Sequence, residues 1–232
     1  MIRLLGFLEV VFASSFYLLL VGQASRARVT VGVMAFVISI CGLFGVLTMN
    51  DQSGGSTTKH QVLKYALPDR SFSDLHSGGK MDLPTGWVML PPDNPVVPHK
   101  DANMIAVHPD TDSYATLVIV RNSGGPTLDV VLSNVVAEQR KHDPSVVELE
   151  RANSLFGRLD GRKATLTWQF QGKQIKGDVT VARNGSYYIF LNEWCAAESY
   201  SKSRPQFAAL ENSASAGEPQ PEPFTAFQDR TY

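Results

Sequence analysis

The sequence predicts an α+β sandwich joined to a two-helix transmembrane hairpin. Three observations point there. Two long apolar runs lie close together near the start, one helix-period pattern sits in the middle, and four strand-like runs follow it on short turns. The chain has 232 residues and a formal net charge of −1. A near-neutral balance offers no basic surface for a nucleic acid, so no nucleic-acid partner is expected.

The apolar runs are 4–21, LLGFLEVVFASSFYLLLV, and 29–49, VTVGVMAFVISICGLFGVLTM. As helices they would be roughly 27 and 31 Å long, close to the ~30 Å hydrocarbon core of a bilayer. Lipid leaves a backbone no hydrogen-bond partner but itself, so such runs become helices. The connection between them is so short that the pair must be an antiparallel hairpin, with the lipid bilayer as first partner. A cleaved signal peptide is the rival for the first run, with Gly22-Gln23-Ala24 as its cleavage site. Signal cores are shorter, about 7–15 residues. A lipoprotein signal ending at Cys41 is disfavoured, because Ile38-Ser39-Ile40 lacks the small residue needed beside the cysteine. Arg26 and Arg28 are the only charges in the connection, and short Arg-rich loops stay in the cytoplasm. The expected location is therefore an inner (cytoplasmic) membrane, N-out and C-out, with the C-terminal part periplasmic.

Four residues in these runs are candidate contacts for other membrane subunits. Glu9 is an ionisable group inside a span, which is costly unless it is paired or reaches the interface. Ala35, Ser39 and Gly42 form a stripe of small residues, extended by Gly32, that permits close helix approach. The stripe serves either packing against the first helix or docking of a neighbour.

Residues 50–80 are rich in Gly, Ser and Thr and read as an extended tether, with one weak amphipathic patch at 62–67. The domain is expected over 81–213. Segments 87–90 and 104–107 are short strands, and 114–121, YATLVIVR, is a stronger one. Leu128, Val131, Leu132, Val135 and Val136 repeat as one apolar helix face. Thr127 suits its N-cap, Asp129 its first turn, and Arg140 and Lys141 its last. Asp143-Pro144 ends it. Strands follow at 146–156, 162–171, 174–182 and 186–194, with turns at Asp160-Gly161, Gly172 and Asn184-Gly185. Strands on such short loops are antiparallel. A last helix is expected over 197–212, broken or restarted at Pro205 with Ser203 as a cap. Amphipathic helices against a mainly antiparallel sheet give an α/β/α-type sandwich.

Several of these stretches resemble PsbP-like proteins. MDLPTGW at 81–87 is similar to the opening strand of that family, GRKATLTWQF and SYYIFLNEW to its closing strands, and RPQFAALENS to its terminal helix. The resemblance covers about 80–213. Met81 stands where an aromatic residue is more usual. The resemblance implies the sandwich fold. It also implies a role in binding other proteins rather than a shared catalytic set, since the family includes an extrinsic photosystem II subunit and a Ran-binding import factor.

No catalytic, cofactor or metal motif emerges from the residues. The five histidines have no partners at metal-ligand spacing and read as solvated surface groups. GRLDGRK at 157–163 has the wrong spacing for a phosphate loop and reads as a hairpin turn. Trp168, Trp194, Tyr187 and Tyr188 read as core aromatics on strands. Asn184-Gly185-Ser186 is a formal glycosylation sequon that the hairpin explains. The tail, 214–232, is rich in Pro and Glu, yet adds Phe224, Phe227 and Tyr232, which suit a clasp on a neighbouring subunit. These features lead to the expectation of a non-enzymatic accessory subunit of a membrane complex, photosynthetic or respiratory, without a cofactor. The alternative is a free-standing envelope protein that binds a small ligand or partner as a sensor or carrier.

Overall fold

The computed structural model describes residues 56–97, 99, 102–121, 125–170 and 172–219. Both apolar runs and the segment 220–232 lie outside the described residues. Among the described residues no helix is long and apolar enough to cross a membrane.

The elements in chain order are α1 (Ser56–Tyr65), β1 (Ser71–Ser73), β2 (Gly79–Asp82), β3 (Val88–Leu90), β4 (Met104–His108), β5 (Ser113–Arg121) and α2 (Leu128–His142). They continue with β6 (Val147–Phe156), β7 (Leu159–Phe170), β8 (Lys173–Asn184), β9 (Tyr187–Ala196), α3 (Tyr200–Ser213) and β10 (Ala214–Ala216). A seven-stranded sheet runs β3-β4-β5-β9-β8-β7-β6, and a three-stranded sheet runs β1-β2-β10. Every pairing in both sheets is antiparallel.

Side chains alternate between the faces of a strand, so each face of the large sheet has its own cover. On one face Val131, Leu132, Val135 and Val136 of α2 pack on Leu166, Val179, Val181, Tyr188 and Phe190. The same face continues under α1 and the 91–102 loop, where Val62, Val96 and Val97 meet Ile105, Tyr114 and Trp194. Trp168 packs against both of these clusters and marks the seam between them. On the opposite face Phe207 and Leu210 of α3, with Met81 and Ala214 of the small sheet, cover Leu117, Ile189 and Leu191.

The order of elements along the chain, the amphipathic helix and the antiparallel pairing of the last four long strands agree with the sequence reading. Thr127 is the N-cap residue of α2, although its side chain makes no capping bond. Tyr187, Tyr188 and Trp194 are buried, as core aromatics should be.

Other details differ. The segment expected as a tether carries α1, β1 and β2 from Ser56 onward, and Val62 is fully buried. The folded unit also extends past 213, because β10 pairs with β2 and Gly217 N–H donates to the Gly78 carbonyl. The first hairpin turn is Gly157-Arg158 rather than Asp160-Gly161, since Phe156 pairs with Leu159. Gly157 takes the left-handed φ of +59° that a tight turn requires, while Gly161 lies within β7. Pro205 stays inside α3. It removes a hydrogen bond from the carbonyl of Ser201, an exposed residue on the solvent side, where water can replace the lost donor. Ser203 is not a cap: it is buried, and its hydroxyl accepts from Ser113 Oγ at 2.8 Å. Two histidines, His99 and His108, are buried rather than solvated.

Candidate functional site

Three places hold polar groups together: the interface beneath α3, the seam at Trp168, and the turn end of the large sheet.

Beneath α3 the sheet contributes buried polar side chains, whereas the buried residues of α2 are all apolar. Lys163 of β7 places Nζ 2.6 Å from Glu211 Oε1 of α3. Thr180 Oγ1 donates to the same carboxylate at 2.8 Å. Asp178 accepts from Thr165 Oγ1 at 2.6 Å and from the Tyr200 hydroxyl at 2.8 Å. The Lys176 ammonium stands 4.3 Å from the centre of the Tyr200 ring. Burial and the Asp178 charge push the Tyr200 phenol well up. Burial opposes the Lys163 ammonium, yet the charge and hydrogen bonds of Glu211 outweigh it and hold its pKa above the usual value.

Glu193 of β9 completes this group. It is 1% exposed, and neither of its oxygens makes a hydrogen bond of ordinary geometry. Burial first, and then the charge on Glu211, push its carboxyl well up, so the neutral acid is the favoured form. Apart from Glu193 the groups satisfy one another. The arrangement fastens α3 to the sheet and leaves no open room for a substrate.

The seam holds a small cavity of about 40 Å³ between His99, α2 and the sheet. His99, Thr116, Gln139, Trp168, Asn192 and Trp194 line it. Burial lowers the His99 pKa to about 4, so its imidazole is neutral. Gly177 lies at this seam because a Cβ there would come within 2.2 Å of the Glu193 carbonyl oxygen. Small-molecule sites run to ~300–1,000 Å³, so this cavity is of water size.

The turn end of the sheet carries an open groove of about 480 Å³. Its walls are the start of α2 (Pro126, Thr127, Leu128), the β6–β7 turn (Arg158, Leu159, Asp160), and Arg183 with Gly185. The Tyr188 hydroxyl donates to the Pro126 carbonyl, and the Arg183 guanidinium sits 5.7 Å from the Tyr188 ring centre. Arg183 Nε donates to the Gly185 carbonyl at 2.9 Å, which fixes the arginine at the rim. Asn184 donates to the carbonyls of Ser77 and Gly217, so its side chain ties β1–β2 to the start of the tail. The groove is lined by Pro126, Leu128 and Leu159 beside the charged Arg158, Arg183 and Asp160. Its geometry suits binding rather than bond-making.

The contact residues expected from the sequence, Glu9, Ala35, Ser39, Gly42, Phe224, Phe227 and Tyr232, lie outside the described residues. Sequence reasoning missed Lys163, Asp178, Glu193 and Glu211. The only available signal was that Asp178 and Thr180 alternate with apolar neighbours, a pattern shared by any strand with one solvated face. Among the described residues no cluster of His, Cys, Asp and Glu could hold a metal ion.

No family model matches the chain, and no curated protein matches it. Solved structures do. The fold is similar to the solution structure of the cyanobacterial PsbP, CyanoP, from Synechocystis sp. PCC 6803, with a TM-score of 0.50. Identity is 11% over 63% of this chain and 91% of that one. LpqN of Mycobacterium tuberculosis, involved in cell envelope biogenesis, gives a TM-score of 0.46 at 12% identity, over 59% and 82% of the two chains. The Saccharomyces cerevisiae Ran-binding protein Mog1p gives 0.46 at 5% identity, over 66% and 97%. The domain has a PsbP-like α/β fold.

Proposed function

We propose that this chain is a non-catalytic accessory subunit of a membrane protein complex. In this reading residues 4–21 and 29–49 anchor it in the cytoplasmic membrane, and the PsbP-like domain docks on the periplasmic face of its neighbours. The observation that carries the reading is the position of the groove. It opens at the end of the domain from which the chain continues into 220–232, and Pro219 packs on Gly185 at its rim. A partner segment seated there would be anionic enough to meet Arg158 and Arg183. The buried polar groups beneath α3 are committed to one another and the cavity at Trp168 is of water size, whereas this groove is open to a partner.

A photosynthetic or respiratory assembly is the version of the proposal that likeness of fold to the cyanobacterial PsbP suggests. The groove volume also favours a second reading, because about 480 Å³ falls in the range of small-ligand sites. In that reading the chain is a free-standing envelope carrier or sensor.

One experiment separates them. The full chain is extracted from its native membranes in mild detergent and run on native gels beside an Arg158→Glu/Arg183→Glu variant and a chain ending at Pro219. The subunit reading expects the parent in a defined larger assembly and both variants released from it. A parent that migrates as the lone chain and retains a small molecule in native mass spectrometry overturns it in favour of the carrier. Protease added to sealed cells tests the topology: a C-terminal part cut only in inside-out vesicles overturns the periplasmic placement.

A further inference from the structure

The strand β6 is the outer edge of the seven-stranded sheet, and among the described residues no strand pairs with its outer side. The opposite edge, β3, has three residues, while β6 has ten. A long edge offers a row of backbone donors and acceptors to any strand that fits, and folds usually blunt such edges with charge or a bulge. Here the blunting is incomplete. The bulge is confined to one end, between Glu148 and Glu150. Two of its three charges neutralise each other locally, with Arg151 Nε 2.7 Å from Glu148 Oε1, and Arg140 Nη2 stands 3.8 Å from Glu148 Oε2. Arg151 also donates to Ser133 Oγ of α2, which draws its side chain back over its own domain. Leu149 and Leu155 meanwhile stand 53% and 58% exposed, and Val130 of α2 is 47% exposed.

We propose that this edge pairs with the same edge of a second copy of the chain, antiparallel, about a two-fold axis at Ala152. The occupant follows from the strand itself. Counted from the Phe156–Leu159 pair that closes the two-residue hairpin, ladder alternation turns the amides and carbonyls of Arg151, Asn153 and Leu155 outward. Outward residues must face outward residues, so the axis falls on a residue and not between two. With the axis on Glu150 or Arg151, identical charges oppose each other across it, which destabilises a pair. With the axis on Asn153, Leu149 faces the turn glycine Gly157.

The axis on Ala152 has none of these faults. Arg151 then forms hydrogen-bonded rungs with Asn153 of the other copy, in both directions. Leu149 faces Leu155 of the other copy on each side, so the exposed leucines cover one another. The two-fold keeps both α2 helices on one face, each presenting Val130 beside the leucine pair. Such an isologous contact closes on itself and yields a dimer rather than a fibre. It uses a different surface from the groove and is independent of the proposed accessory role.

The test is cysteine cross-linking of the full chain in mild detergent, with Cys41→Ala and Cys195→Ala in the background. Ala152→Cys places two thiols on the axis, where a non-hydrogen-bonded pair has Cα atoms about 4.5 Å apart, inside disulfide range. Lys202→Cys, on the exposed side of α3, is the collision control. The expected result is a disulfide dimer from Ala152→Cys at about tenfold the yield of the control under mild oxidation. Adding Leu155→Lys should abolish the excess. Adding both Leu149→Glu and Leu155→Lys should restore it, because only this register sets those positions opposite each other. Equal yields at 152 and 202 in a chain with parental thermal unfolding overturn the proposal. So does a charge pair that fails to rescue.

Discussion

The two helices that cover the large sheet hold it by opposite means. α2 lays four aliphatic side chains on an apolar surface of aliphatic and aromatic residues. α3 contributes Phe207 and Leu210, then relies on Glu211 and Tyr200 to reach Lys163, Thr180 and Asp178 across the interface. An apolar contact is tolerant of angle and indifferent to pH. A buried ionic contact is directional, and it fails badly when one partner is lost. The domain therefore has one face whose stability should follow volume and another whose stability should follow charge.

Removing a cation from the charged face should give the largest effect. Lys163→Met leaves the Glu211 carboxylate buried beside Glu193 and Asp178 without its cation, with Thr180 still donating to it. The expected loss is about 2–4 kcal/mol, held below the full buried-pair figure because Lys163 keeps some solvent contact. It should be read from urea unfolding of the full chain in mild detergent by tryptophan fluorescence. Adding Glu211→Gln should recover much of the loss, since it removes the orphaned charge. Leu132→Ala on the other face should cost a similar ~2–4 kcal/mol through a cavity. That loss should be the same at every pH and find no rescue at a second site. A Lys163→Met chain within about 1 kcal/mol of the parent would mean that α3 is held by Phe207 and Leu210 alone, and the contrast between the faces would disappear.

This contrast also explains what the sequence discloses. α2 is legible because its five apolar residues repeat at helical spacing, and the hairpins are legible because glycine marks their turns. The grip of α3 is not. Asp178, Thr180 and Glu193 look like the wet side of a strand, and only a helix arriving from far along the chain buries them. The small sheet is hidden for the same reason. Its strands are three or four residues long, and Met81 pairs with Ala214, a partner no local pattern can announce. The groove is assembled from three separate turns, none of which carries a motif by itself. His99 and His108 were expected in solvent because a histidine without a ligand partner usually is, whereas the 91–102 loop and the Trp87 ring enclose them.

His99 sharpens the comparison from the α2 side of the sheet. Its pKa is about 4 in the folded chain against 6.5 for the free side chain. Between these values the unfolded chain binds a proton that the folded chain refuses. Stability is then complete above pH 6.5 and falls as the pH drops toward 4. At pH 5 the deficit should be about 2 kcal/mol relative to pH 8. His99→Gln should remove that part of the acid dependence, which comparison of the parent and variant urea midpoints at the two pH values would show. An unchanged difference between pH 5 and pH 8 would place the acid sensitivity elsewhere.

Glu193 should give the smallest effect and the opposite slope. Its folded pKa lies well above the reference 4.5. Above pH 4.5 the unfolded chain releases a proton that the folded chain keeps, so this residue subtracts more stability as the pH rises. Glu193→Gln keeps the shape and the neutral form without the proton. The variant should match the parent near pH 4.5 and exceed it at pH 8, with the margin growing between. Removing the acid from a network that needs a negative charge would do the reverse and weaken the variant most at pH 8. That outcome would make Glu193 a second counter-ion for Lys163, and the charged face would then be a three-membered ionic cluster rather than an ion pair beside a neutral acid.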